Sequence, residues 1–184
     1  MENSVEGFRA AILRGEVLSL FGRLPAPGER LLEAFTLPAA RHARAPLTER
    51  DLSTGLVLLS TLPNIERHAC VAQILHLDEL APRLLPQARV VHVSSDGAHH
   101  WCEVDRFHPT VRAASYTLAG ADDPSSAGFK WAFGVGVIGH DRIAHGLFAL
   151  EDGVFVAAQV PYDQMEAPPV AAFLQEVIRR RETP

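Results

Sequence analysis

The chain has 184 residues, 47% hydrophobic and 21% charged, with a formal net charge of −5. That length suits one domain with a full core, and the composition excludes a disordered or fibrous chain. The acidic balance repels phosphate backbones at long range, so no nucleic-acid partner is expected.

Residues 1–15 mix Glu2, Glu6 and Arg9 with short apolar pieces. They read as an N-terminal extension forming a short amphipathic helix or an arm. They lack the basic start and apolar block of a secretory signal. No apolar stretch approaches the ~20 residues that a membrane span needs. A cytoplasmic protein with no membrane partner is therefore expected. The main domain then runs from residue 16 to 184. Glu16 to Phe21 reads as a short strand, Pro25 to Gly28 as a turn cluster, and Glu33 to Leu37 as a second strand. Residues 38–54 are loop-like, with one helical turn expected at Thr48 to Leu52.

Gly55 to Thr61 is a continuous apolar run whose length suits a strand buried on both faces. Pro63 ends it. From Glu66 to about Leu80 the apolar residues take helical spacing, with Pro82 and Pro86 as the stop. Ala88 to Ser94 is a second buried strand. Ser95-Asp96 is placed to cap the next helix, Ala98 to Phe107. Ser115 to Leu118 is a short strand, and Asp122 to Ser126 is a turn leading into a helix through Phe129, Trp131 and Phe133. Gly146–Leu150 and Val154–Val160 flank Asp152-Gly153, a hairpin signal. Pro168-Pro169 opens a final helix to about Arg180. The run Arg179 to Arg181 reads as its solvated end, where cations suit the helix dipole. Buried strands alternating with helices give an α/β fold in one domain, closed by a hairpin.

The two cysteines, Cys70 and Cys102, are too few for a disulfide framework, which leaves reactive thiols, metal ligands or buried fillers. Cys70 falls in the first turn of the helix after Pro63. There the backbone N–H groups are unpaired and the dipole is positive. Arg67, three residues earlier, and His68 add positive charge. All three favour a thiolate and a lowered pKa.

The stretch Pro63-Asn64-Ile65-Glu66-Arg67-His68-Ala69-Cys70 resembles the peroxidatic-cysteine loop of the thiol peroxidase branch of the peroxiredoxins. Ser94-Ser95-Asp96 through Trp101-Cys102 resembles that family's resolving-cysteine segment. Phe129 to Val137, Ile143 to Leu150, and Val160-Pro161 with Glu166-Ala167-Pro168 resemble its closing elements. The likeness spans residues 16–178. It implies a thioredoxin-like fold, with a mixed central sheet flanked by helices and an N-terminal β-hairpin. It further implies attack of Cys70 on a peroxide, resolution by Cys102 through an intramolecular disulfide, a thioredoxin-type reductant, a homodimer, and no cofactor.

The family's peroxide-orienting threonine corresponds to Arg67 here, and its strand arginine to His145. Pro63 keeps the family's shielding position. Arg67 and His145 compensate for the changed groups, with His145 donating to the peroxide, or else peroxidase activity is lost. The second case leaves a redox sensor or interaction protein on the same fold. Histidines near the cysteines have none of the usual zinc spacings, so no metal is expected. Gly134-Val135-Gly136-Val137-Ile138-Gly139 has the letters of a dinucleotide fingerprint but follows a helix, and reads as a helix C-cap and loop.

Overall fold

The computed structural model describes residues 8–118 and 124–182. Strands β1 (Phe8–Leu13) and β2 (Glu16–Phe21) form a hairpin through Arg14 and Gly15, both at positive φ. Three short strands follow: β3 (Thr36–Leu37), β4 (Ala39–Arg41) and β5 (Leu47–Thr48). A 3-10 turn at Glu49–Leu52 occupies the place of the expected helical turn. Strand β6 (Leu56–Leu62) leads into α1 (His68–Leu84), and β7 (Arg89–Ser94) leads through a 3-10 turn (Ala98–His100) into α2 (Trp101–Phe107). Then come β8 (Ala114–Thr117), α3 (Pro124–Phe133), β9 (Gly136–Val137), β10 (Gly146–Glu151), β11 (Val154–Gln159) and α4 (Val170–Glu182).

The main sheet has six strands in the order β11-β10-β6-β7-β8-β4. β6, β7 and β8 run parallel, while β10, β11 and β4 pair antiparallel. This is the expected mixed sheet of a thioredoxin-like fold. The hairpin β1-β2 joins β9 in a separate antiparallel sheet.

Strand alternation explains why β6 reads as unbroken apolar sequence. Val57 and Leu59 enter one core with Val91, Val93, Phe133 and Phe148. Leu56 and Leu58 enter the other with Leu77, Leu147, Phe173 and Val177. Each fully buried Leu or Phe contributes about 2 kcal/mol, so both faces of β6 are strongly held. The start of α1 is fixed by this strand.

Three readings change. Phe8–Leu13 is a strand rather than a helix or arm, because its backbone pairs with β2 along its whole length. Helix α1 continues through Pro82 to Leu84, and Leu85 N–H still bonds to Ala81 O at 2.8 Å. Proline removes only its own donor there, and Pro86 follows the true C-cap. Third, Asp96 bonds elsewhere than at a helix cap, as described below. The hairpin turn at Asp152-Gly153 holds, with both residues at positive φ as the tightest hairpin turns require. Gly134 ends α3 at positive φ, with Val135 N–H bonded to Lys130 O at 3.1 Å, so it is the helix C-cap as read, while Gly136–Val137 forms strand β9 where a loop was expected. Phe133 is core, whereas Trp131 is half exposed. Asp122 and Asp123 of the expected turn lie outside the described residues.

Candidate active site around Cys70

Pro63, Asn64 and Ile65 leave the end of β6 and turn into α1. Asn64 closes that turn. Its carbonyl accepts from Arg67 N–H at 3.0 Å, and its Oδ1 accepts from Glu66 N–H at 3.0 Å. Arg67 is the N-cap, so Cys70 is the third residue of the helix. The Cys70 side chain is fully buried, packed with Leu62, Ile65, Ile74, Trp101, Val104 and Val111.

Asp96 secures the loop from outside. Its Oδ2 accepts from Ile65 N–H at 2.7 Å, and its Oδ1 pairs with Arg142. Arg142 also donates to Pro63 O at 2.7 Å. A carboxylate that is 5% exposed thus ties the loop before α1 to the segment before β10. This use of Asp96 replaces the expected cap.

His145 reaches the thiol from that same segment. Its Nε2 lies 3.5 Å from Cys70 Sγ. Two glutamines hold it. His145 N–H donates to Gln164 Oε1 at 2.7 Å, and Gln164 Nε2 donates to Pro161 O at 2.6 Å. The imidazole Nδ1 sits 2.8 Å from Gln73 Oε1. Gln73 Nε2 donates to Ser60 Oγ and Gly146 O, each at 2.9 Å. Glycine is required at 146, since a Cβ there would stand 2.7 Å from the Phe148 ring and 2.8 Å from Thr61 Oγ1. His145, Gln73, Ser60 and Cys70 are all buried.

Burial dominates the electrostatics. It pushes the Cys70 thiol up to about 12, against lowering by the Asn64 backbone N–H, by Arg67 and by Arg142, while Asp96 raises it further. The expected lowering by the helix start and Arg67 is therefore outweighed, and the resting form at neutral pH is the thiol. His68 is exposed. Burial also brings His145 down to about 4, and the Arg67 charge adds to that, so the imidazole rests neutral.

A cleft of about 150 Å³ opens at the loop before α1. Pro63, Asn64 and Ala144 line it, with Leu13, Leu18, Val137 and Ile143 as apolar walls; Cys70 and His145 are not among its walls. Arg67, His140, Arg142 and Gln164 supply its polar groups. Of the sequence-derived residues, Pro63 and Arg67 line this cleft, while Cys70 and His145 meet in the buried interior. Cys102 does not join them. It is exposed on α2, and both cysteines are free. Its neighbour Trp101 turns inward instead, against the Cys70 cluster. His100 Nδ1 meets Glu66 Oε1 at 2.5 Å, linking the turn before α2 to the loop before α1.

Sequence reasoning missed Gln73, Gln164, Asp96 as a loop tie, and Arg142. Gln73 left one signal: an amide on the apolar face of α1, three residues after the cysteine.

No family model matches the chain, and no curated protein sequence matches it. Solved structures do. It is similar to a thiol peroxidase from Chromobacterium violaceum at 14% identity and a TM-score of 0.75, covering 94% of this chain and 97% of that one. A peroxiredoxin-like protein from Aquifex aeolicus matches at 15% identity and a TM-score of 0.72, covering 95% and 99%. Peroxidoxin BcpB from Mycobacterium tuberculosis matches at 19% identity and a TM-score of 0.60, covering 87% and 99%. This chain therefore has the thioredoxin-like fold of the thiol peroxidase and peroxiredoxin structures along nearly its whole length.

Proposed function

We propose that the protein is a thiol-dependent peroxidase, with Cys70 as the nucleophile toward hydrogen peroxide or a small organic hydroperoxide. The observation that carries this reading is the Cys70 thiol in the first turn of α1, 3.5 Å from His145 Nε2, following a loop whose Pro63 and Arg67 wall a cleft. In this reading Sγ attacks the terminal peroxide oxygen and becomes a sulfenic acid, and the alcohol or water leaves. Pro63 shields the sulfur, and Arg67 and His145 polarise the reacting atoms. Cys102 then condenses with the sulfenic acid to a disulfide, which a thioredoxin-type protein reduces. A homodimer is the assembly. In this reading the first turn of α1 unwinds to bring the buried Cys70 to the solvent-facing Cys102.

A thioredoxin-coupled assay with hydrogen peroxide tests the reading. Replacing Cys70→Ser abolishes turnover to the uncatalysed background; turnover that survives rejects the assignment.

One observation favours a second reading, a redox sensor with negligible turnover. The thiol is sealed from solvent and rests protonated. Stopped-flow oxidation of Cys70 separates the two: a rate no faster than that of a free thiolate supports the sensor.

A further inference from the structure

We propose that Gln73 is a positioning residue that presents His145 to Cys70 as a proton acceptor, so that the thiol is activated by an imidazole base rather than by a fixed positive charge. The proposal rests on the peroxidase reading and adds to it the path of the proton.

The Gly146 carbonyl only accepts hydrogen bonds, and the Gln73 amide end 2.9 Å away is therefore its nitrogen. The other end, Oε1, only accepts, and it stands 2.8 Å from His145 Nδ1. Nδ1 thus carries the ring hydrogen. In a neutral imidazole the second nitrogen is then bare. That nitrogen, Nε2, is the atom 3.5 Å from Cys70 Sγ. Gln164 holds the His145 backbone, which leaves the ring's facing set by Gln73.

The charged groups acting on the pair come from three segments: Arg67 at the start of α1, Asp96 after β7, and Arg142 before β10. Arg67 opposes a standing imidazolium, and burial opposes both ions. The proton therefore moves only as the sulfur attacks. Sγ forms a bond to the terminal oxygen of the hydroperoxide while its hydrogen passes to Nε2. The O–O bond breaks, the sulfur gives up two electrons, and the departing alkoxide (hydroxide from hydrogen peroxide) takes the hydrogen back from Nε2. Sulfenic acid, alcohol or water, and neutral His145 remain. The imidazole acts first as base and then as acid.

The nitrogen-15 two-bond correlation spectrum of the uniformly labelled full chain reads the ring directly, with His145→Asn identifying the signal. Nδ1 protonated and Nε2 bare at pH 7 is the expected result; the proton on Nε2 overturns the proposal, and this measurement needs no Gln73 variant to fold. A rate cycle adds a second readout, using hydrogen peroxide with Cys102→Ser so that only Cys70 oxidation is followed. Gln73→Met, similar in length, slows oxidation about tenfold or more when His145 is present, since acid–base assistance is worth about a hundredfold or more. In the His145→Arg background, which has no tautomer to select, Gln73→Met changes the rate less than about twofold. Equal losses in both backgrounds overturn the proposal. The peroxidase reading fails separately, by absence of turnover in the coupled assay, and the nitrogen spectrum still decides where the proton sits.

Discussion

The two cysteines occupy matching places in the chain. Each follows a parallel strand, β6 or β7, and each sits in the first turn of the next helix. Their surroundings are opposite. Cys70 is enclosed by Leu62, Ile65, Ile74 and Trp101, while Cys102 faces solvent. A helix start favours an anion by about 0.3–1 kcal/mol, whereas full burial moves an ionisable group by up to ~3–5 pKa units. Helix position alone therefore does not make a thiolate. What distinguishes Cys70 is what distant segments bring to it: an imidazole and a loop tied by Asp96.

The contrast is sharpened most strongly by pH. His145 titrates at about 4 in the folded protein against an ordinary 6.5. Between those values the unfolded chain binds more protons, so stability falls as the pH drops from 6.5 toward 4, by roughly 3 kcal/mol in all. Cys70 mirrors this, with its thiol at about 12 against an ordinary 9.0, so stability falls as the pH rises above 9. Urea denaturation of the wild type minus that of His145→Gln isolates the acid limb. A difference that stays flat from pH 6.5 to 4.5 breaks the contrast between a buried and a solvated site.

Asp96→Ala comes next. It removes the acceptor of Ile65 N–H and the partner of Arg142, and costs about 2 kcal/mol in urea denaturation, as unsatisfied buried donors do. A loss under about 0.5 kcal/mol would show that the loop before α1 holds itself. The smallest effect on stability belongs to Cys102→Ser, within about 0.5 kcal/mol as for other exposed positions. The same substitution stops thioredoxin-supported turnover while leaving one equivalent of Cys70 sulfenic acid trappable by dimedone. Unimpaired multiple turnover would remove Cys102 from the cycle.

Much of the fold was legible because the core strands write it in period and composition. Val57 to Leu59 needed both faces buried, and Asp152-Gly153 needed positive φ. Strand β1 was not, because its inward positions are Arg9, Ala11 and Leu13, of which only Ala11 is buried, and an arginine among them breaks the apolar alternation. Pro82 misled because the cost of a proline in a helix depends on whether the bond it deletes is missed. At the candidate site, Cys70, Arg67 and His145 were singled out by loop spacing and resemblance. Gln73 was not, since an amide on a helix reads as a surface residue until β10 and the strand residue Ser60 cover it. The direction of the thiol's pKa was hidden for the same reason. Local sequence supplies the helix dipole, but burial is contributed by Trp101, Val104 and Val111 from elsewhere in the chain.

The pairing of His145 with Cys70 spans 75 residues of chain, and Arg142 reaches Pro63 across 79. Closing loops of that length is slow compared with forming a helix, so α1 can exist well before its thiol has a partner. A nascent chain that has emerged only as far as β8 carries Cys70 without its imidazole or its loop clamp from Arg142. On the proposed peroxidase reading, reactivity toward peroxide thus arrives late in folding, when β10 docks against β6, and the cysteine is chemically ordinary during the interval in which an unfinished chain is most exposed to oxidation.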